Sequence, residues 1–253
     1  MLECFYDKEE RNVMMSARYQ LPEDMRTNMR RNREKRRKRM VNRFLVICGG
    51  LLLILVGVLY QLNVIPHAYY YNSHFGIRTY RSDVDYDGDG IDDQTDILLG
   101  VFAYVATNPE YKSVYYAGGY PDDKYGVCTD VVAQGFLHAG YDLMELVSAD
   151  IEAAPEAYNI STPDKNIDFR RVRNLSVFFQ RHAISLTTDI TKLEEWQGGD
   201  IIIFEDDHIG IISDKRNGNG TAFILHHGSP LQAGYEQDIL EGRDDSVGHS
   251  RWN

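Results

Sequence analysis

Three cysteines in 253 residues, at positions 4, 48 and 128, are too few and too scattered for a disulfide framework. No two of them stand as C-x-x-C and no two histidines as H-x-x-x-H, so the usual spacing of a zinc site is missing as well. Internal repeats and low-complexity tracts are absent. Positive charge is scarce beyond residue 43, where 14 Lys/Arg face 31 Asp/Glu and the net charge is −17. Residues 1–43 are the reverse, with 13 basic and 7 acidic residues and a net charge of +6. Between the two lies a stretch without any Asp, Glu, Lys or Arg, FLVICGGLLLILVGVLYQLNVI, residues 44–65.

Twenty-two such residues at 1.5 Å each cross a hydrocarbon layer of roughly 30 Å, and a soluble core seldom needs so long an apolar run. Residues 26–43 hold ten basic residues and one Glu, and cationic flanks stay on the cytoplasmic side. The sequence therefore predicts a basic cytoplasmic tail (1–43), a transmembrane helix (44–65) and an extracytoplasmic remainder. The basic run abuts the membrane, so anionic lipid rather than nucleic acid is its expected partner. The long region before the apolar run, with no A-x-A-like site after it, predicts an uncleaved anchor. Cys4, Cys48 and Cys128 then fall in three different compartments, and none can pair within the chain.

Residues 66–82, PHAYYYNSHFGIRTYRS, show neither helical nor strand period and read as a stalk with interfacial tyrosines. Residues 83–253 are expected to form the outer domain. ILLGVFAYVA reads as a short apolar helix, and VVAQGFLHAG as a helix after Cys128 that stops at Gly140. DLMELVSADI and NLSVFFQRHA are further helices, with Asp142 and Asn174 as N-caps. GGDIIIF, HIGIISD and TAFILHH are short β-rich runs separated by turn residues. Helices first and antiparallel strands afterwards predict an α+β domain.

Cys128 directly precedes a predicted helix, where free N–H groups favour thiolate over thiol and can hold a developing oxyanion. Thiolate chemistry also needs an imidazole oriented by a third polar group. His208 opens one predicted strand, and His226 and His227 close the next, a spacing that antiparallel pairing brings side by side. A buried structural cysteine with strand-capping histidines is the alternative.

The order of Cys, His and His, with YYAGGY, CTDVV, WQGGDIIIF, HIGIISD and FILHH, resembles the NlpC-type cell-wall cysteine peptidases of the papain-like superfamily. YGVCTDVV, AGYDL, PDKNIDFRRVRNL, FFQRH, GGDIIIF, HIGIISD and GHSRW resemble more closely the bacterial domain of unknown function numbered 1287, over roughly residues 111–252. The resemblance implies a papain-like fold, with Cys128 as nucleophile, His208 as general base and His226 as the orienting group, His227 being the alternative. It implies hydrolysis of amide bonds in peptidoglycan stem peptides. The rival readings are a non-catalytic cell-wall binding domain of the same fold, or an acyltransferase or amidase acting on another substrate. CTD stands where the peptidases often read DCSG, which brings a charge close to the thiol, and Phe169 stands where the family is expected to have His. Arg170 and Arg171 have the forked donors that suit a substrate carboxylate. Asp200 is expected to fix a turn through backbone bonds.

In DYDGDGIDDQTD, Asp85, Asp87, Asp89, the Ile91 carbonyl, Asp93 and Asp96 fall at positions one, three, five, seven, nine and twelve of a calcium loop, with Gly90 at the sharp turn. Asp rather than Glu at position twelve, and a charged position eight, depart from an EF-hand. The expected role of Ca²⁺ is to brace the outer domain near the membrane, not to enter the chemistry.

Overall fold

The uncharged run continues a helix that begins inside the basic segment. In the computed structural model, which describes residues 22–205 and 207–253, α1 spans Glu23–Gln61, 39 residues with no buried side chain. Cys4 and residues 1–21 of the basic tail lie outside the described residues. This helix is long and apolar enough to cross a membrane. It ends at Gln61, four residues short of the expected limit, and Asn63 follows in the left-handed region at φ 54°. Residues 1–58 and 59–253 are separate compact units.

Within the second unit the order is β1 (Tyr70–Tyr71), a 3-10 turn (Asn72–Phe75), α2 (Asp93–Ala106), β2 (Glu110–Tyr111), β3 (Tyr125–Gly126) and α3 (Cys128–His138). Next come α4 (Leu143–Ala153), the single turns α5 (Pro155–Tyr158) and α6 (Lys165–Asp168), and α7 (Val172–His182). The strands β4 (Ile184–Ser185), β5 (Ile201–Phe204), β6 (His208–Arg216), β7 (Ala222–Leu225), β8 (Glu236–Gln237) and β9 (Ser246–Arg251) complete the chain. The predicted α+β class holds. Six strands run β4-β9-β5-β6-β7-β8, β1 adds to β6, and every pairing in this sheet is antiparallel.

Both faces of the sheet are covered, which is why IIIF shows no alternation of polar residues. On one face Ile201, Ile203, Ile209, Ile211 and Leu225 pack into the larger core with Val131, Val132 and Phe136 of α3 and Leu175 and Phe179 of α7. On the other, Ile202, Phe204, Ile212 and Ile224 meet Trp196 and Leu240. Glycines let α2 and α3 approach closely. A Cβ at Gly135 would lie 2.6 Å from Val101 Cγ2 and 2.9 Å from the Ile97 carbonyl oxygen.

Two expectations need correction. Residues 66–82 are not a free stalk: Tyr70 and Tyr71 pair with Arg216 and Lys215, and buried Asn72 bonds Gln197 (2.9 Å) and Arg216. These are polar contacts without a repeat, so no period announced them. Asp142 does cap α4, but α7 starts after Arg171, and Asn174 sits in its first turn bonding the Asp168 carbonyl (3.0 Å).

Candidate active site

Cys128 is the first residue of α3, and Asp130 fixes that helix start. Its Oδ2 accepts the Val127 N–H at 2.8 Å, while Arg170 grips both carboxylate oxygens, Nε to Oδ1 at 2.6 Å and Nη2 to Oδ2 at 2.8 Å. The third donor of the guanidinium goes to the Val114 carbonyl. Both side chains are fully enclosed, at 0 and 1% exposure. The acid that CTD places beside the thiol is thus neutralised by the first arginine of NIDFRR. Arg170 is taken up inside the protein and is not the expected carboxylate binder.

The Cys128 sulfur lies where β6 and β7 part. Ile212 N–H donates to the Asp200 carbonyl at 2.8 Å, so even-numbered residues of β6 bond towards β5 and odd-numbered ones towards β7. Pairing with β7 begins at Ile211 and Leu225, which leaves the Ile209 N–H for the sulfur. The N–H groups of Thr129 and Cys128 also bear on it. All three favour the thiolate, yet burial outweighs them and pushes the thiol up to about 11. The direction is thus opposite to that expected of a thiol at a helix start, and burial is its cause.

His208, the neighbour of Ile209, opens β6. Its Nε2 meets His226 Nδ1 at 2.9 Å, and His226 Nε2 meets Gln237 Oε1 at 2.9 Å. All three residues are buried. Burial, and then the adjacent His208, lower the His226 pKa to about 3, so this ring is neutral at ordinary pH. Phe204 stacks along His208 at 5.9 Å between centroids. Gly210 and Gly228 make room for the pair: a Cβ at 210 would lie 3.2 Å from His226 Cβ, and one at 228 would lie 3.3 Å from both rings. His227 points to the other side of the strand, edge-on to Tyr111 and Tyr235, and is not the partner of His208.

A cleft of about 580 Å³ opens beside the sulfur, lined by Cys128, Thr129, Tyr111, Asp207, Arg171 and the first residues of α7. Arg171 is mostly exposed, 3.9 Å from Asp168, and α7 has no side-chain cap on its N–H groups. Phe169 lies under this wall, fully buried and 4.9 Å from the Tyr120 ring, so packing accounts for its place.

The acidic loop forms only in part. Asp85, Asp87 and Asp89 bring carboxylate oxygens within 4.8 Å of one another on the surface. Asp85 accepts the N–H groups of Gly88 (2.8 Å) and Gly90 (3.0 Å), and Asp89 accepts that of Ile91 (2.8 Å). Asp93 and Asp96 do not join them. Both are buried in the first turn of α2, Asp93 holding the Tyr86 N–H and the Tyr141 hydroxyl, and Asp96 holding His138 Nδ1 at 2.6 Å. Burial raises the Asp96 pKa against the pull of His138. The donor set that fits a cation is thus three exposed carboxylates, not five.

Asp200 is structural, as expected, but its reach is wider than one turn. It accepts the Gln197 N–H at 2.8 Å and also binds Arg251 (2.7 Å), His249 (3.1 Å) and Gln94 (2.9 Å). GGD and GHSRW, far apart in sequence, are therefore two halves of one buried cluster. Gln237, Gly210 and Gly228 were not singled out in the sequence. Only Gly210, a glycine inside a strand pattern, carries a local sign of close backbone approach.

The model of the family described as "Domain of unknown function (DUF1287)" matches residues 101–252. The "Uncharacterized protein YijF" of Escherichia coli strain K12 is 33% identical over 153 residues, which cover 57% of this chain and 73% of that protein. No solved structure matches. The matched segment runs from α2 through β9 and includes Cys128, His208, His226 and Gln237, and on this match the chain belongs to the DUF1287 family.

Proposed function

We propose that this protein is a membrane-anchored cysteine hydrolase of papain-like, NlpC-type architecture, which cleaves amide bonds in peptidoglycan stem peptides outside the cell. What supports the reading is a thiol at the start of α3 that takes the N–H of Ile209, together with the buried His208–His226 pair that opens at the adjacent residue. The register sets both rings on the Phe204 and Ile212 face of the sheet, so the reading requires the His208 ring to reach the sulfur round the start of β6. A helix-borne thiol, an imidazole and a polar group orienting it are the parts that acyl transfer through a thioester requires. The raised thiol pKa keeps Cys128 protonated at rest. His208 then takes the thiol proton as the sulfur attacks the carbonyl carbon. It returns that proton to the leaving amine, and water releases the acyl group. The N–H groups of Cys128 and Thr129, which bear on the sulfur, would be the donors nearest an oxyanion formed there. Arg171 and the uncapped start of α7 give the cleft a place for the carboxylates in which stem peptides are rich.

The raised thiol pKa favours one other reading, a cell-wall binding module without turnover. Incubating purified cell wall with the full chain and identifying products by mass spectrometry separates the two. The hydrolase releases new amine and carboxylate termini and Cys128→Ala does not; wall that is bound but uncut overturns the enzyme reading.

Asp85, Asp87 and Asp89 would hold a Ca²⁺ that braces the entry to α2, remote from the chemistry. Millimolar Ca²⁺ should then raise the melting temperature, and Asp87→Ala with Asp89→Ala should abolish the gain. An equal melting temperature in EDTA removes the ion.

A further inference from the structure

The ring of His67 has an acceptor at each nitrogen. Nδ1 meets Asp238 Oδ2 at 2.8 Å, and Nε2 meets the Tyr60 carbonyl oxygen at 2.8 Å. A neutral imidazole has one N–H and satisfies only one of these, turning a lone pair towards the other oxygen. Both bonds together need a second proton, so the ring is held as imidazolium. Its surroundings suit a cation. The Tyr60 carbonyl belongs to the last turn of α1, where unpaired carbonyls leave a partial negative charge. The Tyr60 ring stacks on His67 at 3.8 Å between centroids, 10° from parallel. The His67 side chain is only 7% exposed, so water has little access to either bond.

We propose that His67 is a proton-operated latch, which as imidazolium ties the segment after α1 to Asp238 at the end of β8 and frees that segment when its proton passes to water. The fold gives such a latch something to hold. Asn63, in the left-handed region just past α1, accepts the Asp238 N–H on its Oδ1 at 3.1 Å, and Asn217 donates to the other Asp238 oxygen at 3.0 Å. Asp238 is thus clasped between residues 60–67 and the turn after β6, and His67 supplies the charge-assisted bond of the three. The neighbouring Gln237 bonds His226 Nε2 at 2.9 Å, so the latch stands one peptide unit from the imidazole pair.

Among the described residues, Asp238 and Tyr60 are the titratable groups that face the ring, and Glu241 and Arg243 line the same cavity of about 590 Å³. Burial alone would lower the His67 pKa, but the Asp238 carboxylate and the Tyr60 carbonyl outweigh it and raise the value above the 6.5 of a free histidine. The closed latch therefore binds the proton more tightly than the open one. It is fully engaged below pH 6.5 and weakens as the pH rises through the raised pKa. Alkaline conditions open it.

The test is nitrogen-15 NMR and hydrogen exchange of the full chain in detergent micelles, with the labelled His67 signal assigned by substitution. At pH 6 both His67 nitrogens should carry protons, and the ring should titrate above 6.5. Asp238→Asn keeps the shape without the charge and should bring that midpoint down to 6.5 or lower. Amide protection over residues 62–68 and 236–239, corrected for the intrinsic rate at each pH, should fall by up to about tenfold per pH unit above 6.5 until the raised pKa is passed. His67→Gln should lower that protection at pH 6 and remove its pH dependence. A His67 ring with one proton at pH 6, a wild-type midpoint at or below 6.5, or protection unmoved by pH or by His67→Gln overturns the proposal. None of these readouts depends on Cys128 or on hydrolysis.

Discussion

Two opposing influences meet at the Cys128 sulfur. Three N–H groups favour the anion, and burial favours the thiol and prevails. Alkylation by iodoacetamide should therefore accelerate only well above the ~8.5 of a free cysteine, towards the value of about 11. His208→Ala should leave that profile high, because burial sets it, while lowering hydrolysis by about 10²–10⁴-fold, the usual contribution of a general base. A thiol that titrates below ~8.5 would instead mean a preformed ion pair, and a mechanism starting from a protonated Cys128 would fail. His226 makes a stability prediction of definite sign. Its folded pKa, about 3, lies below the 6.5 of the unfolded chain, so between those values the unfolded state binds the extra proton. Stability is complete above pH 6.5 and is lost as the pH falls, by about 1.4 kcal/mol per pH unit from this group. Melting temperatures measured from pH 7 to pH 4 should show the decline, and His226→Asn should flatten it; an equal slope in that variant would assign the decline elsewhere.

At the scale of elements, the start of α3 depends on the ion pair between Asp130 and Arg170. Asp130→Ala leaves a guanidinium enclosed without its partner and should cost about 3–5 kcal/mol. Asp130→Leu combined with Arg170→Met should recover much of that loss, since neither charge is then stranded. Denaturant unfolding of the three variants measures this directly, and a stable Asp130→Ala protein would show that the pair does not hold the helix. The pair also marks what sequence reading can and cannot reach. HIGIISD and TAFILHH were legible as strands because β-branched residues repeat over enough positions to show a face. Gly140 was legible as a stop, since only glycine readily takes the left-handed turn that follows a helix end: α3 closes at His138 and Gly140 stands at φ +81°. The Asp130–Arg170 contact was not, because 40 residues separate partners that each look anomalous alone. Gln237 gave no signal either: β8 is two residues long, and its meaning lies wholly in its register against Ile224. Asp93 and Asp96 fitted a calcium spacing, but spacing cannot show that Tyr86, Tyr141 and His138 already occupy those oxygens.

For the whole molecule, the decisive contrast lies between α1 and the domain after it. Residues 59–253 bury apolar cores on both faces of a sheet, whereas α1 leaves Leu51, Leu52, Leu53 and Ile54 exposed. An uncovered apolar run of that length suits the proposed membrane anchor, since each exposed side chain of this kind forgoes roughly 1.5–3 kcal/mol of burial in water. In the proposed anchoring the ten basic residues of 26–43 decide direction, because moving them across the bilayer would oppose both the hydrocarbon barrier and the membrane potential. Protease added to intact spheroplasts should therefore digest the domain that carries Cys128 and leave a protected fragment containing α1 and the basic segment. Opening the membrane with detergent should remove that protection. Replacing six of the ten basic residues by Gln should produce a mixed population in which part of the domain becomes protected. If the wild-type domain is protected in intact spheroplasts and cut only after lysis, it faces the cytoplasm. A wall-directed hydrolase would then be excluded, however well the imidazole pair is built.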